Sequence, residues 1–158
     1  MQNEKNKNID GREMSVSRIV NAPRELVWEV WTTPEHIKHW WGPNGFTNTI
    51  SKMDVQPGGE WEFIMHGPDG TDYKNKHIYK EIIKPEKLVL EHVSGPKFLM
   101  TVTFEEQGKH TLINIHSLFE SAEQLQEVIK AFKADVGMVQ NADRMENYVT
   151  NLNKKIAI

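Results

Sequence analysis

Three side chains able to act as acid, base or hydrogen-bond anchor alternate along one short stretch: His77, Tyr79 and Glu81. Alternate residues of an extended chain share a face. If that face points inward, the three form a polar cluster that orients a ligand or relays a proton. If it points outward, Lys74, Lys76 and Lys80 point inward, and three buried lysines are costly. Parity therefore favours His77, Tyr79 and Glu81 as the inner set of the Tyr73–Ile83 strand, although Ile78 and Ile82 lie with the lysines and weigh the other way. A buried Glu81 would need a partner, or its pKa would rise.

Aromatic chemistry is concentrated in HIKHWWGPNGF, His36 to Phe46. Trp40 and Trp41 each offer a large apolar face and one donor, suited to a cavity wall or to a plug that seals the core. Successive helical residues point about 100° apart, so one indole can be core while the other faces a cavity or solvent. His36 and His39 share a helical face, but a third metal ligand is missing from the pattern. Asp69 and Asp72 read as turn residues rather than ligands. Met65, Met100, Met138 and Met145 fit gap-filling or an adaptable pocket lining. The chain shows no P-loop, dinucleotide fingerprint, nucleophile elbow or zinc spacing, so no metal and no cofactor is expected.

The elements that must position these groups follow from hydropathy. Glu13–Val20 alternates as a strand, and Pro23 opens a helix over Arg24–Thr32 with Leu26, Val27, Val30 and Trp31 on one side. Thr33-Pro34 opens a second, short helix that runs into the double tryptophan. Strands follow over Phe46–Val55, Glu60–His66, Tyr73–Ile83, Leu88–Val93, Phe98–Glu106 and Thr111–Phe119, joined by short turns. Such links predict an antiparallel sheet of about seven strands. On the last strand Ile113, Ile115 and Phe119 form the more apolar, inward set, leaving Asn114 and His116 outside. Ser121 and Gln124 then form a capping-box pattern. From there to Asn153 apolar residues recur at Leu125, Val128, Ile129, Phe132, Val136, Val139, Ala142, Met145, Val149 and Leu152. That stripe predicts one helix of about 45 Å, with Gly137 as its place to bend.

The fold class is therefore α+β, a curved antiparallel sheet in the order β-α-α-β6-α wrapped around a long C-terminal helix. A curved sheet cannot meet a straight helix everywhere, which leaves room for a cavity between them. With 158 residues the chain reads as one domain over 13–158, after a disordered extension over 1–12. It has no cysteine, a net charge of −3, no basic block and no apolar run of spanning length. Those features speak against nucleic acid and a membrane span, and for a cytoplasmic monomer or homodimer.

The segments APRELVWEVWTTPEHIKHWWGP, DVQPGGEWEFIMHGPDG, YKEIIKPEKLVLEH, TVTFEE and GMVQNADRMENYV carry a resemblance. Together they resemble the SRPBCC or START-like helix-grip superfamily, within it the group related to the C-terminal domain of the activator of the heat-shock-chaperone ATPase. The resemblance spans roughly Met14 to Leu152. The family usually has Trp where this chain has Met138, Leu at Ala142, Met145 and Val149, and often Gly at His77. It implies a small hydrophobic or amphipathic ligand, since superfamily relatives bind lipids, hormones and polyketides. On that reading Trp40, Trp41, Phe63, Met65, Phe104, Phe132, Val136 and Met145 supply contact area, and His77, Tyr79 and Glu81 fix orientation. The resemblance also admits a protein-docking, co-chaperone-like module, and a cyclase or hydrolase using the same polar cluster.

Overall fold

The computed structural model describes residues 11–157. The strands are β1 (Glu13–Val20), β2 (Thr47–Met53), β3 (Glu60–His66), β4 (Asp72–Ile83), β5 (Lys87–His92), β6 (Phe98–Gln107) and β7 (His110–Phe119). The helices are α1 (Arg24–Thr32), α2 (Pro34–Ile37), α3 (Ala122–Phe132) and α4 (Ala134–Ala157). All seven strands join one sheet in the order β1-β7-β6-β5-β4-β3-β2, every neighbouring pair antiparallel. The helices lie against its inner face: α1 meets β6, β7 and α4, and α4 lies along β1. Of the extension expected before Glu13, residues 1–10 lie outside the described residues. Arg12 is already attached, since its carbonyl accepts a hydrogen bond from Phe119 N–H.

Two expectations need correction. The C-terminal helix is not continuous, and the break falls at Lys133 rather than Gly137. Lys133 adopts the left-handed conformation (φ 55°, ψ 47°), and its N–H caps α3 by donating to Ile129 O. Helical geometry is interrupted there, so the apolar stripe is not one stripe. Leu125 is buried on α3, and Ala142, Met145 and Val149 are buried on α4. Phe132, Val136 and Val139, around the break, are 60%, 49% and 45% exposed. Phe132 and Val136 therefore do not line the interior. The expected cap at the start of α3 forms with one change of partner: Ser121 Oγ accepts from Gln124 N–H, while Gln124 Oε1 accepts from the N–H of Glu120 rather than of Ser121.

The second correction concerns Glu81. The β4–β5 register shifts between Tyr79, opposite Leu90, and Glu81, opposite Val89. One extra residue in β4, Lys80, forms a bulge and reverses the alternation beyond it. His77 and Tyr79 point inward, but Glu81 is exposed and pairs with Lys87 at 3.4 Å. The bulge also resolves the conflict within β4: Ile82 packs on the core although it has the parity of the outward lysines.

Candidate functional site

The inner faces of β3 and β4 begin the site. Alternation along β3 turns Trp61 and Phe63 inward, and the register sets Trp61 directly opposite His77. The three rings form a tile of nearly parallel planes. Trp61 and Phe63 stack at 4.4 Å, Trp61 and His77 at 4.9 Å, and Phe63 and His77 lie 5.7 Å apart, 5° from parallel. Trp41 stands edge-on to all three, 5.0 Å from Trp61. Trp40 and Trp31 continue the cluster, and Trp31 reaches Phe104. Trp40 is 1% exposed and Trp41 8%, so both indoles are interior and Trp41 lies nearer the surface.

Elements outside the tile hold Trp41 in place. α2 begins at Pro34, and helical hydrogen bonds persist past its end, with Trp40 and Trp41 N–H both donating to Ile37 O. The chain then turns at Gly42 (φ 100°), a conformation closed to most side chains. From α4, Arg144 grips this loop. Its Nη1 donates to the carbonyls of Trp41, Gly42 and Pro43 at 3.3, 2.9 and 2.7 Å. Its Nη2 donates to His39 O and Phe46 O at 3.2 and 3.0 Å. Asn141 and Gln140 accept from Gly42 and Asn44 N–H, and Asn48 donates to Trp41 O. Gly137 lies under Pro43, where a Cβ would come within 3.1 Å of the ring. Gly137, Gln140, Asn141 and Arg144 thus form a second stripe on α4, at helical spacing, given to the loop.

The electrostatics of the site are set by burial. Desolvation, then the neighbouring His92, pushes His77 well below the ordinary imidazole value, so His77 is neutral. Burial, with the Asp54 charge, pushes the Tyr79 phenol up and keeps it protonated. His92 packs 4.9 Å from His77, and burial lowers its pKa although the Pro96 carbonyl opposes the shift. His92 has a partner at each nitrogen: Nδ1–H donates to Pro96 O at 2.6 Å, and Nε2 accepts from the Ser94 hydroxyl at 3.2 Å. His77 is the opposite case, with neither ring nitrogen bonded to a protein partner. The indole Nε1 atoms of Trp31, Trp40 and Trp61 are likewise buried without one.

Of the residues singled out in sequence, Trp40, Trp41, Phe63 and His77 meet in this cluster, and Tyr79, Phe104 and Met145 belong to the same core. Met65 is half-buried beside Gly42. Glu81, Phe132 and Val136 stand apart on the surface. With Glu81 outside, the acid/base set proposed for a cyclase or hydrolase loses its carboxylate. Trp61, Trp31, His92 and Arg144 were missed. The alternation of β3 already turned Trp61 inward beside Phe63 and was the available signal. His36 Nδ1 bonds the Tyr148 hydroxyl at 2.7 Å and His39 stacks on the same ring, so both are spent on α4. One surface depression, of about 420 Å³, is lined by Ser51, Glu62, Phe63, Ile64, Lys74, Asn75, Lys76 and Ser94, and so reaches the cluster at Phe63; another, of about 320 Å³, lies between α2 and β2.

A family model described as Activator of Hsp90 ATPase homolog 1-like protein matches residues 21–150. Among solved structures, a protein from Arthrobacter aurescens is similar at 24% identity and a TM-score of 0.84, over 90% of this chain and 88% of its own. A protein from Nitrosomonas europaea is 20% identical with a TM-score of 0.80, over 94% and 98%. The AHSA1-like protein from Aeromonas hydrophila is 20% identical with a TM-score of 0.68, over 88% and 94%. These likenesses establish the helix-grip fold. No match to a curated protein was found.

Proposed function

The chain belongs to the Activator of Hsp90 ATPase homolog 1-like family, and from that premise we propose that it binds a small hydrophobic or amphipathic ligand between sheet and α4, with His77 as the polar anchor. One observation carries this reading. Five polar atoms in one aromatic cluster, the Nε1 atoms of Trp31, Trp40 and Trp61 and both nitrogens of His77, are buried without a protein partner. Each such group costs about 1–3 kcal/mol, and native interiors hold few of them. A ligand bearing oxygen atoms satisfies them and gains the aromatic contact area. Trp41, the outermost ring, and the loop beneath Arg144 form the entrance.

A thermal-shift screen of small apolar and amphipathic compounds tests the reading. A dose-dependent rise in melting temperature is expected for one chemical class, lost in His77→Phe. No shift with any class, from a protein that melts cooperatively, overturns it.

The exposed strip Phe132, Val136 and Val139 favours a second reading, a protein-docking module. Replacing Phe132 and Val136 together by serine should then abolish association with a protein partner while leaving the melting temperature unchanged. A large drop in melting temperature would mark these side chains as structural instead.

A further inference from the structure

Away from the aromatic interior, on the face of the sheet opposite Phe63, three strands bring an acid–base chain together. The hairpin turn over 67–71 sets Asp72 on β4 directly opposite His66 on β3. The β2–β3 register sets Thr47 opposite His66, so Thr49, two residues on, is its diagonal neighbour on the same face. Asp72 Oδ1 lies 2.7 Å from His66 Nδ1, and Thr49 Oγ1 lies 2.7 Å from His66 Nε2. A carboxylate only accepts, so the Nδ1 nitrogen carries the ring proton. The neutral ring then keeps its lone pair on Nε2, and the Thr49 hydroxyl donates to it. Carboxylate, imidazole and hydroxyl stand in the order and polarity of a hydrolytic triad, with threonine as the nucleophile.

The surroundings supply the other parts of a site. Thr49 lines the depression of about 320 Å³ between α2 and β2, with Pro34, Glu35, Lys38, Asn48 and Ile50. That volume suits a small molecule. One carboxylate and one ammonium among the lining groups offset each other, and Pro34 and Ile50 offer apolar contact. β2 is also the last strand of the sheet, paired on one side only. Alternate N–H groups of an antiparallel edge strand face no neighbouring strand. Either Thr49 N–H, or those of Asn48 and Ile50, therefore point away from β3, within one residue of the hydroxyl in both cases. Backbone donors of this kind stabilise an oxyanion.

We propose that this face hydrolyses small, uncharged esters. The His66 side chain is 34% exposed, so the site is open to water and suits esters with a good leaving group, such as short-chain aryl esters. Thr49 Oγ1 attacks the acyl carbon as its proton passes to His66 Nε2, and the carbonyl π pair moves onto oxygen. That pair returns as the bond to the leaving oxygen breaks, and His66 gives that oxygen the proton. Water then attacks the acyl-threonine while His66 takes a proton from it, and the proton returns to Thr49 Oγ1. The sum is ester plus water to acid plus alcohol. Asp72 orients the ring and fixes its tautomer.

Initial rates of nitrophenolate release from p-nitrophenyl acetate at pH 8 test the proposal. All three side chains reach the surface, so Thr49→Val, His66→Gln and Asp72→Asn should melt as the unaltered protein does. Thr49→Val and His66→Gln should each lose roughly tenfold or more of the rate above buffer, and Asp72→Asn roughly threefold or more. Thr49→Ser keeps the hydroxyl and should retain the rate. Peptide mass mapping of acid-quenched protein should find the trapped acetyl group on Thr49. If Thr49→Val keeps the full rate while His66→Gln loses it, the imidazole acts alone and the triad is refuted. If every variant keeps the full rate, the hydrolysis comes from other surface groups and the proposal falls.

Discussion

At the scale of the residue, His77 is the most consequential side chain. Its imidazole is neutral in the folded protein because burial and His92 disfavour the charged form. Its folded pKa lies well below its unfolded value of 6.5. Between those two values the unfolded chain binds a proton that the folded protein refuses. Stability is thus fully present above pH 6.5 and lost as pH falls, at about 1.4 kcal/mol per pH unit per proton. His92 is lowered too and acts in the same direction. Melts between pH 7.5 and 5 should show a falling transition temperature, with a shallower slope in His77→Phe; an unchanged slope would mean that His77 charges freely. Trp41 allows a separate test. Its burial predicts a loss of roughly 3–5 kcal/mol on Trp41→Ala, measured by denaturant unfolding. A loss below ~1 kcal/mol would show that the ring does not plug the core.

At the scale of the element, the loop after α2 and the helix α4 are joined through Arg144. Its guanidinium reaches five carbonyls because its planar fork spreads several donors; a lysine ammonium has three on one point. Arg144→Lys should therefore recover little of what Arg144→Ala loses, about 1–3 kcal/mol, since part-buried carbonyls such as Gly42 O and Phe46 O lose the guanidinium as donor. In both variants amide hydrogen exchange over residues 39–46 should quicken while β5–β7 stay protected. Unchanged exchange in the loop would show that Asn141, Gln140 and Asn48 suffice to hold it. The junction of α3 and α4 behaves in the opposite sense. Lys133 pays for a left-handed backbone that glycine adopts freely. Lys133→Gly should raise stability by about 1 kcal/mol in thermal melts, whereas a loss would indicate that the lysine side chain holds the junction.

At the scale of the whole molecule, the sequence by itself determined the order of elements up to the last helix, the antiparallel sheet and the helix-grip class. Those depend on local periodicity, on turn residues and on caps, all written within a few neighbours of each position. Alternation along β3 fixed the inward facing of Phe63 in this way, and the Ser121–Gln124 pair fixed the start of α3. What only the tertiary structure decided depends on where alternation is interrupted and on contacts between distant segments. A single extra residue at Lys80 turned Glu81 outward, although parity grouped it with His77 and Tyr79. A single left-handed residue at Lys133 divided the last helix and left Phe132 and Val136 on the surface, although spacing placed them on the buried stripe. No local pattern announces either interruption, because each is set by how the sheet and the helix pair must pack. Arg144 lies about a hundred residues from the carbonyls it binds, and Trp61 becomes the partner of His77 only through the β3–β4 register. The sequence supplied the aromatic and histidine side chains, but the closure of sheet on helix removed them from water. That removal makes His77 neutral and leaves five polar atoms unpaired, which are the grounds for the ligand site.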